Sequence, residues 1–239
     1  MIIDIFIPCF IDQLFPETGN NMVKVLEKLG CGINYNIEQT CCGQPAFAAG
    51  HWDAAKEVGE KFIHDFSNNR YIVCPSASCV GMIRNDYPKL FHNTVLHNEY
   101  KQIQKNIFEF SDFIVNVLKV TDIGATFNGV VTYHDSCQAL RECKIKQEPR
   151  TLLANVKGLT LVEMNDVETC CGFGGVFSIK HENIASAMAE QKIDNALETK
   201  AEYIVSTDSS CLMHLDGFAK QHKTALKTLH LADVLASGY

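Results

Sequence analysis

With 239 residues, 46% of them apolar, the chain has enough material for one large domain or two of about half that size, each with its own core. A net charge of −7, with Lys and Arg scattered, provides no basic patch to neutralise phosphates and argues against a nucleic-acid partner. No apolar run approaches the ~20 residues that span a bilayer, and Met1-Ile2-Ile3-Asp4-Ile5 lacks the basic start of a signal peptide. These features lead us to expect a cytoplasmic protein without a transmembrane segment.

In chain order, the β-branched run 2–7 reads as a buried strand stopped by Pro8. Met22, Val23, Val25, Leu26 and Leu29 recur at helical spacing, which predicts a helix over 18–29. A second strand is expected from Ile33 to Ile37. A helix follows over 52–66, with Ala54, Ala55, Val58, Phe62 and Phe66 on one side; Trp52 is expected in the core. Tyr71-Ile72-Val73 reads as a third strand, a helix begins near Cys79, and another covers about 101–119. The order then repeats. Strands are expected at 130–133, 159–164 and 203–205, with helices at 148–156 and 181–198. Candidate core positions in the last of these are Ile184, Ala187, Met188, Ile193 and Leu197. The segment Phe110-Ser111-Asp112-Phe113-Ile114 is echoed by Leu231-Ala232-Asp233-Val234-Leu235. Strands alternating with helices imply parallel sheets with right-handed crossovers. The expected fold is therefore two similar α/β halves related by internal duplication, residues 1–122 and 123–239, divided in the stretch Thr121–Gly129.

The cysteines carry the duplication. Gln39-Thr40-Cys41-Cys42-Gly43 returns as Glu168-Thr169-Cys170-Cys171-Gly172, and each pair has outlying cysteines at matching distances. Cys9 lies 32 positions before Cys41, and Cys137 lies 33 before Cys170; Cys79 and Cys211 follow their pairs by 37 and 40. Small length differences of this kind are what loops absorb in a repeat. Eight of the 11 cysteines belong to the pattern. In a reducing compartment such a count points to metal or redox chemistry, not to a disulfide framework. All eight fall at or just past the carboxyl ends of strands, where open parallel sheets bind ligands. Two sites follow, one from Cys9, Cys41, Cys42 and Cys79, the other from Cys137, Cys170, Cys171 and Cys211.

Adjacent cysteines on an extended strand would point to opposite faces, so the chain must turn there, and Gly43 and Gly172 supply the permissive dihedrals. Four thiolates per half match an iron–sulfur cluster. Zinc usually takes cysteines from tight loops two to four residues apart; only Cys74 and Cys79 come near that, and Ser206 stands opposite Cys74. The spacing favours iron–sulfur and leaves zinc open. Among the other residues, Cys74 is an alternative ligand or a core cysteine, and Cys31 and Cys143 have no counterparts and read as structural. His134 and Asp135 either tune the site by hydrogen bonding or relay protons, or simply cap a strand end. Gly174 and Gly175 suit close backbone approach to the site better than phosphate binding, because the full Gly-x-Gly-x-x-Gly pattern is missing.

The motifs Ile7-Pro8-Cys9, Cys41-Cys42-Gly43-Gln44-Pro45, Cys74-Pro75-Ser76-Ala77-Ser78-Cys79, Tyr133-His134-Asp135-Ser136-Cys137 and Cys171-Gly172-Phe173-Gly174-Gly175 resemble the CCG cysteine-rich domain family. That domain occurs in heterodisulfide reductase B subunits and in iron–sulfur subunits of glycolate and anaerobic glycerol-3-phosphate dehydrogenases. A stand-alone pair of this length is most similar to the family's lactate-utilisation members. The resemblance covers nearly the whole chain. It implies an electron-transfer subunit holding iron–sulfur clusters of the 4Fe–4S type and working with partner subunits to oxidise L-lactate to pyruvate. Heterodisulfide reductase B subunits end each motif with a further cysteine; here Met82 and His214 stand at those positions. The fifth ligand of a disulfide-cleaving double cluster is thus absent from both halves, a conventional cluster with four ligands fits, and His214 is a candidate ligand. Two other readings stay open: a zinc-stabilised or metal-free scaffold of the same kind of complex, and a heterodisulfide reductase-like thiol/disulfide redox subunit working by exchange at a Cys-Cys pair. No flavin motif, dinucleotide fingerprint or Ser-His-Asp set accompanies the cysteines, so the chain alone is not expected to oxidise lactate.

Overall fold

A computed structural model describes residues 1–238. It contains two four-stranded sheets, all of whose pairings are parallel. The first comprises β1 (Ile2–Ile5), β2 (Gly32–Tyr35), β3 (Ile72–Cys74) and β4 (Ile107–Glu109), in the order β2-β1-β3-β4. The second comprises β5 (Thr126–Tyr133), β6 (Lys157–Leu161), β7 (Tyr203–Ser206) and β8 (Lys227–His230), in the order β6-β5-β7-β8. The two orders are the same, as the duplication requires. Among the described residues, no helix is long and apolar enough to cross a membrane.

Most elements stand where the apolar pattern puts them. Helix Pro16–Lys28 buries Met22, Val25 and Leu26, and helix Trp52–Phe66 buries Ala55, Phe62, Ile63 and Phe66. Four details differ. The expected helix over 101–119 is interrupted: helix His97–Asn106 ends, β4 pairs with β3, and a new helix starts at Phe110. Glu109 enforces the break, because its carboxylate accepts from the amides of Ser111 and Asp112 and so caps the new helix. The matching strand β8 has little apolar content; tertiary pairing with β7 makes it a strand. Helix Glu182–Glu198 is rotated from its expected phase. It buries Ala185, Ala189, Lys192, Ile193 and Ala196, and leaves Ile184 and Leu197 at the surface. Trp52 is not in the core: it is exposed and stacks on Phe47 with ring centroids 5.3 Å apart.

The sheets share a core. Ile3, Ile5, Val73, Phe110 and Phe113 of the first pack in one cluster with Val131, Tyr133, Val205, Leu231 and Leu235 of the second. The outer face of each sheet has a separate apolar cluster, and each of these includes cysteines: Cys42, Cys74 and Cys79 in one, Cys171 and Cys211 in the other. Buried polar bonds also join the halves. Asp208, 1% exposed, accepts from Ser76 Oγ at 3.2 Å, from the Ser78 amide at 3.0 Å and from Ser136 Oγ. The His230 ring meets the Pro75 carbonyl at 3.0 Å, and Asp233 accepts from Thr18 and Asn21, each at 3.0 Å.

Two stability predictions follow from these buried acids. Asp208→Ala leaves donors from both halves unpaired in a dry interface, and should lower the unfolding free energy by roughly 2–4 kcal/mol in urea titrations. Glu109 is fully buried, and desolvation raises its pKa to about 8 despite hydrogen bonds from Ser111 and Asp112. The folded state therefore holds a proton that the unfolded state has released, so stability falls as pH rises from the ordinary carboxylate range towards 8. In Glu109→Gln that slope should flatten when stability is measured across the same window.

Candidate metal centre

The eight repeated cysteines lie past the carboxyl ends of β1, β2 and β3, and of β5, β6 and β7. Each Cys-Cys-Gly is a tight turn. Gly43 has φ +82° and Gly172 has φ +92°, in the left-handed region where a side chain is strained. Space is lacking as well. A β-carbon on Gly43 would lie 3.0 Å from the Ala55 carbonyl oxygen, and one on Gly172 only 2.5 Å from that of Ala185 and 2.9 Å from Met188 Cβ. The turn brings each glycine amide back to the first thiol of its pair: Gly43 N donates to Cys41 Sγ, and Gly172 N to Cys170 Sγ, both at 3.4 Å.

The thiols then converge in the same way in each half. Cys9 and Cys41 sulfurs are 3.7 Å apart, and Cys42 and Cys79 sulfurs 3.3 Å apart. In the second half the Cys171 and Cys211 sulfurs lie within 4.8 Å of each other, and Cys137 interacts electrostatically with Cys170. Burial matches too: Cys42 and Cys171 are each 2% exposed, Cys79 and Cys211 each 7%, while Cys9, Cys41, Cys137 and Cys170 are half-buried. Each half thus has an inner and an outer pair of sulfurs. None of the 11 cysteines is in a disulfide.

The electrostatics of these thiols call for a cation. Hydrogen bonds from Cys42 and then Cys9 push the Cys41 pKa down to about 3 against the cost of burial. Bonds from Cys137 and then Cys171 take Cys170 to about 2. The donors move the other way. Cys9, Cys42, Cys137 and Cys171 are all raised above the ordinary thiol value, first by their bond to that thiolate and then by further bonds or burial. In each group one thiol is therefore held as the thiolate, while the neighbours bonded to it resist ionisation. A positive metal centre would relieve that resistance by stabilising every thiolate together, so the donor set fits a metal.

Not every candidate residue joins these groups. Cys74, at the end of β3, is fully buried; its thiol donates to the Ser76 carbonyl at 3.6 Å and also interacts with Cys79. Cys31 lies in the shared core, and the Cys143 thiol donates to the Ala77 carbonyl at 3.4 Å. His214 meets the Ala185 carbonyl at 3.3 Å, and Met82 is buried among apolar side chains. Asp135 is held by Arg150 through two bonds of 2.9 and 2.8 Å, which makes it a structural ion pair. His134 behaves differently. Its donor nitrogen and the sulfurs of Cys171 and Cys211 all lie within 4.8 Å of one another. Burial, with the charge of Lys192, lowers its pKa to about 3, so the ring is neutral. Beside the outer pair, a cavity of about 610 Å³ lined by Arg141, Met164, Asp166, Glu168 and Thr169 opens Cys170 to solvent.

Comparisons agree with this geometry. The model of the CCG cysteine-rich domain matches twice, over residues 3–84 and 131–216. The chain is 41% identical over 238 residues to lactate utilization protein A of Bacillus cereus and of Bacillus thuringiensis, covering 99% of each chain in both alignments. Lactate utilization protein A 2 of Bacillus anthracis shows the same identity and coverage. In fold alone, the chain is similar to a hypothetical protein from Helicobacter pylori, with a TM-score of 0.62 and 12% identity over all of this chain and 49% of that one.

The turn geometry makes a graded prediction. Gly43→Ala should destabilise the metal-free protein by about 1–2 kcal/mol through left-handed strain, with a milder contact to the Ala55 carbonyl at 3.0 Å. Gly172→Ala adds a clash with fixed backbone and should cost roughly twice that in thermal unfolding. Equal losses would show that the Ala185 contact relaxes freely. Two cysteine-rich modules, a shared strand order and end-to-end identity lead to one conclusion: the chain belongs to the CCG cysteine-rich domain family, alongside the proteins named lactate utilization protein A.

Proposed function

We propose that the protein is an iron–sulfur electron-transfer subunit of a multi-protein system that oxidises L-lactate to pyruvate. Cys9, Cys41, Cys42 and Cys79 hold one cluster, and Cys137, Cys170, Cys171 and Cys211 hold the other. The observation that carries this reading is the gathering, twice, of four free thiols at strand ends, with one thiol of each group held as the thiolate. Clusters of the 4Fe–4S type suit four thiolate ligands, and when bound they supply one-electron storage. Lactate as the substrate is supported by the relatives' name and by near end-to-end similarity to them.

The chain's own residues have definite tasks in this scheme. The amides of Gly43 and Gly172 place a fixed dipole against Cys41 and Cys170, which favours the thiolate and adjusts the electron density on sulfur. The inner thiols are kept from water by Phe6, Phe62 and Met82 in the first half and by Met164 and Ile193 in the second. The outer thiols face the surface, where a partner can exchange electrons. Two electrons and two protons leave lactate when it becomes pyruvate. Partner subunits carry out that step and pass the electrons on singly.

One observation favours a second reading. His134, Cys171 and Cys211 form a nitrogen–sulfur group that zinc also accepts, which suits a zinc-stabilised scaffold subunit. Metal analysis of anaerobically purified protein separates the two. About four irons and four sulfides per half are expected, with an electron paramagnetic resonance signal on reduction. Cys42→Ser and Cys171→Ser should each remove one half of that iron and signal. Zinc alone, or no metal after anaerobic reconstitution, would overturn the electron-transfer role.

A further inference from the structure

The duplication aligns Phe6 with His134, each three residues before the first cysteine of its half. Backbone bonds confirm the register: the Phe6 amide donates to Val73 at 3.0 Å, and the His134 amide to Val205 at 2.8 Å. The same register aligns Phe62 with Lys192. Gly43 is pressed on the Ala55 carbonyl and Gly172 on that of Ala185; Phe62 and Lys192 each follow their alanine by seven positions.

In the first half the aligned pair is two rings in edge-to-face contact, centroids 4.9 Å apart, inside an apolar cluster. In the second half an imidazole and an ammonium take those places, both 0% exposed. Lys192 is satisfied, because Nζ donates to the carbonyls of Asp166 at 2.7 Å and Val167 at 3.1 Å. His134 is not: neither Nδ1 nor Nε2 has a hydrogen-bond partner. A buried polar atom without a partner is destabilising, a cost that the phenylalanine of the first half avoids. Ser206 and His214 are engaged elsewhere. Ser206 Oγ donates to the His134 carbonyl at 3.0 Å, and the His214 ring is turned to Ala185. What the His134 ring does approach is sulfur, with its donor nitrogen within 4.8 Å of Cys171 and Cys211 Sγ.

From this geometry we infer that His134 is a nitrogen ligand of the second metal centre, on its buried side beside Cys171 and Cys211. The inference rests on the iron–sulfur reading above. The second half then presents five donors where the first presents four, so the two centres are chemically different although their cysteines match. A neutral imidazole added to four thiolates leaves the charge of the centre unchanged, whereas the Lys192 ammonium, which interacts with Cys171 and Cys170, offsets part of it. That ammonium favours the reduced form, which gives the second centre the more positive midpoint potential.

The test uses the full chain, labelled with 15N-histidine, purified anaerobically and reconstituted with iron and sulfide. Pulsed electron paramagnetic resonance of the reduced protein should show a 15N coupling of the size of a directly bound nitrogen. Cys171→Ser should abolish that coupling while the first-centre signal remains, and His214→Ala should leave it intact. His134→Phe should remove the coupling and shift the second-centre midpoint while leaving the first-centre midpoint in place in a redox titration. The wild-type spectrum decides the question even if that variant folds poorly. A second-centre signal without bound 15N overturns the ligand assignment and leaves the iron–sulfur reading standing. Absence of clusters in both halves overturns both.

Discussion

The two centres depend on a turn that has no room for a β-carbon. At Gly43 and Gly172 the chain enters the left-handed region while a helix carbonyl presses on the glycine. Two vicinal thiols, which an extended strand would point to opposite faces, are thereby sorted into one inner and one outer sulfur. The inner sulfur meets the last cysteine of its half and the outer meets the first. The charge distribution follows from the same turn. The glycine amide points at the outer sulfur and the neighbouring thiols donate to it, so that sulfur is the anion. A longer residue at either glycine would move the turn off its helix and disturb burial, pairing and ionisation together.

The halves are not independent modules joined by a linker. One apolar cluster contains residues of both sheets, and the wall behind Cys42 and Cys79 includes Ala139, Cys143 and Ile145 from the second half. The loops after β3 and β7 meet through Asp208, Ser76 and Ser78, close in sequence to Cys211 and Cys79. Phe10, beside Cys9, contacts Phe173, two residues beyond Cys171, with ring centroids 5.9 Å apart. The two cysteine groups are therefore joined by short, packed paths.

Much of this was legible in the chain. Vicinal cysteines repeated with matched outliers imply two sites, and alternating apolar runs imply parallel sheets that carry those cysteines at their carboxyl ends. Three kinds of feature were not legible, each for a physical reason. Strands as short as Ile107–Glu109 and Lys227–His230 have too few residues for a period, and only pairing with a neighbour defines them. The phase of helix Glu182–Glu198 was misread because its buried face is mostly small alanines, while its large residues Ile184 and Leu197 lie outside. The stacked pair of Trp52 and Phe47 shows the same limit: apolar character alone does not say which side of a helix faces the core. His134 could be singled out beside Cys137, but its role depends on Lys192 and Cys211, distant in sequence and brought near only by the fold.

Duplication gave the halves the same cysteines, and divergence then worked on their surroundings. Where the first half has Phe6, Phe62, Cys74 and Ser76, the second has His134, Lys192, Ser206 and Asp208. Every one of those changes places a more polar or charged group in a buried position, at a cost in desolvation that packing alone does not repay. Ser206 and Asp208 recover theirs through hydrogen bonds to backbone and to the other half, and Lys192 through two carbonyls. Only His134 among the four is left without a protein partner for its side chain. In the proposed electron-transfer role, two identical carriers would have no preferred direction of transfer, whereas two carriers in different fields would. The polar substitutions are concentrated on one half, which is the arrangement that separates two potentials while leaving both sets of cysteines in place.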